Sequence, residues 1–316
     1  MSDYTIQCQY NPSSSTIPNF CQSGFLFNEP KHLRQQTSEP FYLLTALNQS
    51  TGQAEARCAF FVRAEAAISP AAAPFGSIEL AETLPDSVLD SFLYSLSEAA
   101  QAVGALNLRL VHYPNCYAPG QTAQLMTKLP EHDFKVVRAH QTYVLPVTNN
   151  RFEDNIIPAE RRRLRKCRET GFQVEHWELP NAADVVNFLA ETRRQQGYPL
   201  TIQPEQLTNL LTNFPQQFLI FTVKDGSQLA ALTVAIQVCE DILYNFMPAS
   251  HPAYRTFSPM VMLTDGLFTY CQQQKISLLD LGTSLDSNDQ PKPSLMRFKR
   301  NLGAQESPKL VFEKSL

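Results

Sequence analysis

The chain has 316 residues, of which 43% are hydrophobic and 18% charged, with a net charge of -4. That balance excludes a disordered chain and a protein that simply coats nucleic acid, and the length suits two domains, each with its own core. No apolar run approaches the roughly 18 residues of a spanning helix, so no membrane span is expected.

The first forty residues are rich in Ser, Pro, Asn and Gln, with Phe20, Phe25, Leu26 and Phe27 as apolar anchors. Residues 41–47 and 54–64 read as strands joined by a turn at Gly52. A loop at 68–73 leads to a short strand at 74–80. From Val88 to Val103 apolar residues recur every three to four positions, the period of an amphipathic helix. Gly104 ends it, and a strand (106–113), a helix (119–129) and a long strand (135–147) follow.

The polar stretch 149–159, with Pro158, reads as a boundary, giving units of 1–150 and 151–316. The second opens with a strongly basic helix from Glu160 to Gly171 and a strand at 172–178. Helices at 182–195 and 204–213 come next. The hairpin 218–223/229–238 is signalled by its Asp225-Gly226 turn, and a third strand spans 242–247. Ser258 at the N-cap and Pro259 at the first helical position announce a helix to Gln274. A strand (277–281), a short helix (294–301) and a last strand (309–312) close the second unit. Helices mixed with antiparallel meanders favour an α+β architecture over a doubly wound parallel sheet.

The seven cysteines and six histidines are dispersed, with no Cys-x-x-Cys or His-x-x-x-His spacing. Residues 1–11 lack the charged-then-apolar layout of an export signal. Reduced thiols in a cytoplasmic protein, and no protein-ligated metal, are the expectation.

Three stretches carry a resemblance: Arg162 to Phe172, Leu279-Asp280-Leu281-Gly282 after the 258–274 helix, and Arg297-Phe298-Lys299 running to Leu302-Gly303. In these, residues 152–316 resemble the GNAT N-acetyltransferase fold in its tandem, FemAB-like form, and the first half resembles it by element order. The resemblance implies two tandem GNAT-like (acyl-CoA N-acyltransferase) units, each a mixed, mainly antiparallel sheet flanked by helices. It also implies transfer of an acyl or aminoacyl group, from acyl-CoA or an aminoacyl-tRNA, to a primary amine.

Such chemistry needs a deprotonated amine, a donor for the developing oxyanion and a proton for the leaving group. Asp280 is the candidate to orient or deprotonate the amine; its plainer role is to cap the turn that follows. Lys299 is the candidate to stabilise negative charge, against a solvated lysine at a helix C-terminus. Tyr254 is the candidate proton donor, against a packed loop tyrosine.

The oxyanion donor is expected to be a backbone N–H where the third strand splays, at 246–249, with Met247, Arg255 and Ser258 as donor-binding residues. Arg162, Arg163, Arg165 and Arg297 are candidates for substrate or tRNA phosphates, against a solvated face paired with Glu160 and Glu169. GNAT members that use coenzyme A place a glycine-containing loop before the central helix to cradle pyrophosphate. The segment His251 to Pro259 has no glycine and two prolines. That departure motivates a different reading, a non-catalytic binding or scaffold protein on the same fold.

Overall fold

A strand not expected from the sequence, β1 (Tyr4–Tyr10), opens the chain; residue-by-residue alternation hides in its polar surroundings. The computed structural model describes residues 3–197, 200–286 and 288–316. Contacts divide the chain into Met1–His140 with Ser307–Leu316, and Gln141–Glu306.

In the first unit, a short helix α1 (Pro30–Gln36), also not expected, precedes the hairpin β2 (Phe41–Asn48) and β3 (Gln53–Arg63). The chain then turns at once into β4 (Ala66–Ser69), in a stretch expected to leave the sheet, and β5 (Glu79–Leu80) rejoins β3. Next come α2 (Asp86–Ala102), β6 (Asn107–Val111), α3 (Pro119–Glu131) and β7 (Lys135–Pro146), the last running across the division between units. Strands β1 to β4 pair antiparallel in sequence, and β4 pairs parallel with β6. Leu89, Phe92, Leu93 and Leu96 of α2 and Leu125 and Leu129 of α3 fill the core over this sheet. Each such side chain contributes about 1.5–3 kcal/mol of burial.

The second unit contains α4 (Phe152–Asn155), the basic helix α5 (Pro158–Glu169), β8 (Gln173–His176), α6 (Ala182–Gln195) and α7 (Pro204–Asn213). The meander β9 (Phe218–Asp225), β10 (Gln228–Cys239), β11 (Ile242–Asn245) and β12 (Ala249–Ser250) follows. Then come α8 (Pro259–Gln274), β13 (Leu278–Thr283) and α9 (Pro293–Asn301). Sheet neighbours run β7-β13-β11-β10-β9-β8, with only β11 and β13 parallel. The α8 stripe of Val261, Leu263, Leu267 and Phe268 packs with Leu164 and Cys167 of α5 on the face bearing Leu243, Leu279 and Leu281. Gly266 lets α8 approach β8, because a Cβ there would lie 2.3 Å from Val174 Cγ2.

The last strand, β14 (Gln305–Ser315), differs from its expected place as the end of the second unit. Its residues 311–315 pair antiparallel with β6 of the first unit. An apolar strand reads the same whichever sheet it joins, and long-range pairing alone chooses.

Candidate functional site

In the second unit, β11 and β13 run parallel only through Ile242↔Leu278, Leu243↔Leu279 and Tyr244↔Asp280. Beyond that point they part. The chain after β11 stays with β10: the N–H groups of Phe246 and Met247 both donate to Val234 O, at 3.0 and 3.1 Å. β13 stays with β7, where the register slips between Asp280↔Val144 and Thr283↔Thr142. This slip is a bulge, and Gly282 supplies its left-handed residue at φ +75°. Among the described residues no backbone segment bonds into the gap between Asn245 and Leu281.

The first unit has the same parallel pair, β4 and β6, in register through Ser69↔Leu110. There the chain closes its own gap. Gly76 N–H donates to Val111 O at 3.0 Å, Ser77 N–H to Ser69 Oγ at 2.9 Å, and Phe75 and Ile78 are buried.

Asp280 and Lys299 both bond to the bulge of β13 at the parting. Asp280 is 2% exposed, and its Oδ1 accepts from Thr142 Oγ1 at 2.8 Å and Gly282 N–H at 2.6 Å. The turn-capping role read from the sequence is thus real, with a second bond the sequence did not reveal. Lys299 is 6% exposed, so the solvated-lysine reading is overturned. Its Nζ donates to Gly282 O at 2.9 Å and Thr283 O at 2.7 Å and lies 5.5 Å from the Tyr143 ring centroid. Burial pulls the ammonium down to about 8, with the Asp280 charge opposing.

Tyr143 lies between Thr142 and Val144 on an alternating strand, so Lys299 and Asp280 occupy opposite faces of the sheet. Tyr244 packs on Gly282, and burial, then Asp280, raises its phenol. Asn245, the first residue past the parting, is 6% exposed, and its Oδ1 accepts from Thr233 Oγ1 at 2.6 Å.

Other predicted residues lie elsewhere. Tyr254 packs its ring against Phe172 at 5.6 Å. Its phenol is raised by burial and then by the charge of Asp225, to which it hydrogen-bonds in the β9–β10 turn. Ser258 does sit at the N-cap of α8, but at φ +57° its hydroxyl makes no cap bond, a correction to the expected capping. Arg255 and Arg297 are exposed, and Met247 is buried.

Three of the four expected backbone oxyanion positions are corrected. Phe246 and Met247 have committed their N–H groups to Val234, and Pro248 has none.

Most backbone donors of the 251–259 segment that could cradle a coenzyme A pyrophosphate are spent. The N–H groups of Ala253, Tyr254, Arg255, Phe257 and Ser258 all donate within the segment, and Pro252 and Pro259 have none. A cradle needs those donors unspent. Among the described residues no cluster of His, Cys, Asp and Glu is arranged to hold a metal ion, and no helix is long and apolar enough to cross a membrane.

On α5, Arg163 pairs with the buried Glu160 at 2.6 Å, whereas Arg162 and Arg165 are exposed and have no ion pair among the described residues. Arg165 also lines a cavity of about 210 Å³ with Arg151, Arg161, Arg168, Glu153 and Asp154. Six cations on α5 against two acids leave that helix strongly positive.

Residues 157–300, which include Asp280 and Lys299, match the family model of an acetyltransferase (GNAT) domain. A crystal structure of FemX superposes with a TM-score of 0.69 over 93% of each chain at 14% identity. A tandem GNAT protein from the clavulanic acid biosynthesis pathway gives 0.53 over 98% of each chain at 10% identity. The chain has a tandem GNAT fold. A third similar structure is the C-terminal domain of a putative lysylphosphatidylglycerol synthetase from Agrobacterium fabrum. It gives 0.58 over 83% of this chain and 81% of that one, at 10% identity. No curated protein matches the tandem GNAT chain by sequence.

Proposed function

We propose that the second unit is an N-acyltransferase that moves an acyl or aminoacyl group from an activated donor to a primary amine at the parting of β11 and β13. One observation carries this reading: a buried carboxylate and a buried lysine flank one bulge where two parallel strands separate. In this reading the parting is where both groups act on a single reacting carbonyl. Asp280 holds the incoming amine and takes up its proton. Lys299, protonated below about pH 8, stabilises the charge that develops on the leaving oxygen.

In the step itself the amine nitrogen bonds to the carbonyl carbon, the bond to the leaving oxygen breaks, and the amine's proton ends on that oxygen. Thr142 fixes Asp280, and the carbonyls of Gly282 and Thr283 fix Lys299.

The largely spent loop at 251–259 favours a donor held by side chains rather than by a backbone cradle. The exposed Arg162 and Arg165 of α5 favour an RNA donor, an aminoacyl-tRNA, over acyl-CoA, because each neutralised phosphate releases counterions.

The test supplies radiolabelled aminoacyl-tRNA, or acetyl-CoA, with lysine peptides, ethanolamine and glucosamine as amine probes. Amide-linked label is expected from the charged tRNA, and it should disappear in Lys299→Ala. No label from either donor would sink the acyltransferase reading in favour of a non-catalytic scaffold. Label from acetyl-CoA alone would sink the tRNA assignment. Charged-tRNA binding should also weaken and lose salt dependence when Arg162, Arg163 and Arg165 all become Ala.

A further inference from the structure

A side chain stands where the backbone donors of the parting are spent. Phe246 and Met247 both donate to Val234 O, and Pro248 has no N–H, so this stretch cannot offer these three residues' backbone to an oxyanion. Asn245 immediately precedes them. It lies opposite Ala235 in the β10–β11 register, so its side chain shares the face of Ala235, Leu243 and Tyr143. That is the face from which Lys299 reaches the bulge.

The Thr233–Asn245 pair is out of character with its strands. β10 from Leu229 to Ile236 is apolar apart from Thr233, and β11 reads Ile-Leu-Tyr-Asn. A buried polar pair of this kind contributes little net stability over apolar residues of the same shape. Its geometry does something else. The Thr233 hydroxyl has Val234 O at 3.2 Å as a second acceptor, but its shorter bond, 2.6 Å, goes to Oδ1 and leaves Nδ2 as the amide's donor end. Among the described residues Nδ2 has no hydrogen-bond partner, and unlike Tyr143 Oη and Ser284 Oγ it is not a sealed orphan.

We infer that Asn245 is the oxyanion donor of this site, with Nδ2–H aimed at the carbonyl oxygen of the donor's acyl ester and Thr233 as its positioning residue. The assignment rests on the acyl-transfer reading above. As the amine nitrogen bonds to the carbonyl carbon, the C=O electron pair moves onto oxygen and Nδ2–H stabilises it. When the pair returns, the bond to the leaving oxygen breaks, and that oxygen departs with the proton the amine gives up. A donor already held by Thr233 needs no reorganisation as charge develops, which is where such a bond gains most.

The experiment measures kcat and KM for label transfer from aminoacyl-tRNA in Asn245→Ala, Asn245→Asp and Thr233→Val. Loss of one oxyanion donor lowers kcat by about 10²–10³-fold, so that fall is expected in Asn245→Ala with KM nearly unchanged. Asn245→Asp keeps an acceptor for Thr233 and removes both N–H donors, so it should fall as far even if the alanine variant folds poorly. Thr233→Val should lower kcat by a smaller factor at constant KM. Wild-type-like kcat in a folded Asn245→Ala or Asn245→Asp overturns this assignment and leaves the acyl-transfer reading standing. A wild-type protein without transfer overturns that reading, and this assignment with it.

Discussion

Thr142 Oγ1 donates to Asp280 Oδ1 at 2.8 Å, joining β7 to β13 at the residue where β13 loses its parallel partner. Two residues distant in sequence thereby fix one buried carboxylate. Thr142→Val should cost about 1–3 kcal/mol, the penalty of a lost bond to a buried charged group. Urea unfolding reads that loss, and kcat should fall with KM held. Thr142→Ser should restore both. A valine variant with unchanged stability and kcat would show that Gly282 N–H alone positions Asp280.

Gly282 is constrained twice. Its φ of +75° lies in the left-handed region, and an added Cβ would stand 3.1 Å from Tyr244 Cε2. Gly282→Ala should lose about 1–2 kcal/mol from backbone strain, and more where the Tyr244 ring must shift. A lowered melting temperature checks this. Partial recovery in the double variant with Tyr244→Leu would separate the ring clash from the backbone strain.

Lys299 sets a pH limb. Burial lowers its pKa from 10.5 to about 8, so the ammonium is lost as pH rises through 8 rather than through its ordinary range. Activity that needs the charged form should fall above pH 8. In Lys299→Arg the charge persists there, so the limb should vanish even if kcat is lower. An unmoved limb would assign it to another group. The stability sign follows: the cost of burying this charge is complete below pH 8 and relieved as pH rises towards 10.5.

His112 makes the first unit acid-labile. Burial lowers its pKa from 6.5 to about 3, with its ring between Ser77 Oγ and Thr122 Oγ1. The folded state keeps it neutral while the unfolded chain gains a proton below pH 6.5. Stability should therefore fall by about 1.4 kcal/mol per pH unit from this group as pH drops from 6.5 towards 3. Melting temperature against pH should be flatter in His112→Gln over that window. An identical slope in both proteins would contradict the assignment.

Much of the architecture was legible because it is local. The basic helix, the α6 and α7 helices, the Asp225-Gly226 hairpin and the Pro259 start of α8 are set by period, turn chemistry and caps within a few residues. β1 and α1 escaped because their polar residues mask the period, and β4 because a two-residue turn leaves no punctuation. Asp280 and Lys299 were singled out through the motif resemblance, and the fold places both beside the Gly282 bulge. Tyr254, singled out with them, packs against Phe172 instead, because a loop tyrosine carries no directional signal. Thr233 and Asn245 had a faint one, polar residues inside apolar strands.

By itself the sequence determined the α+β alternation, the basic α5 helix and the glycine-free 251–259 segment, since propensity, charge and composition act over short range. Tertiary structure alone decided that β14 returns to the first unit, that Lys299 is buried and pulled down to about 8, and that the described residues leave the β11–β13 gap unbridged while the β4–β6 gap is closed. These depend on strand pairing and desolvation between residues far apart in the chain. No local window of side chains encodes them.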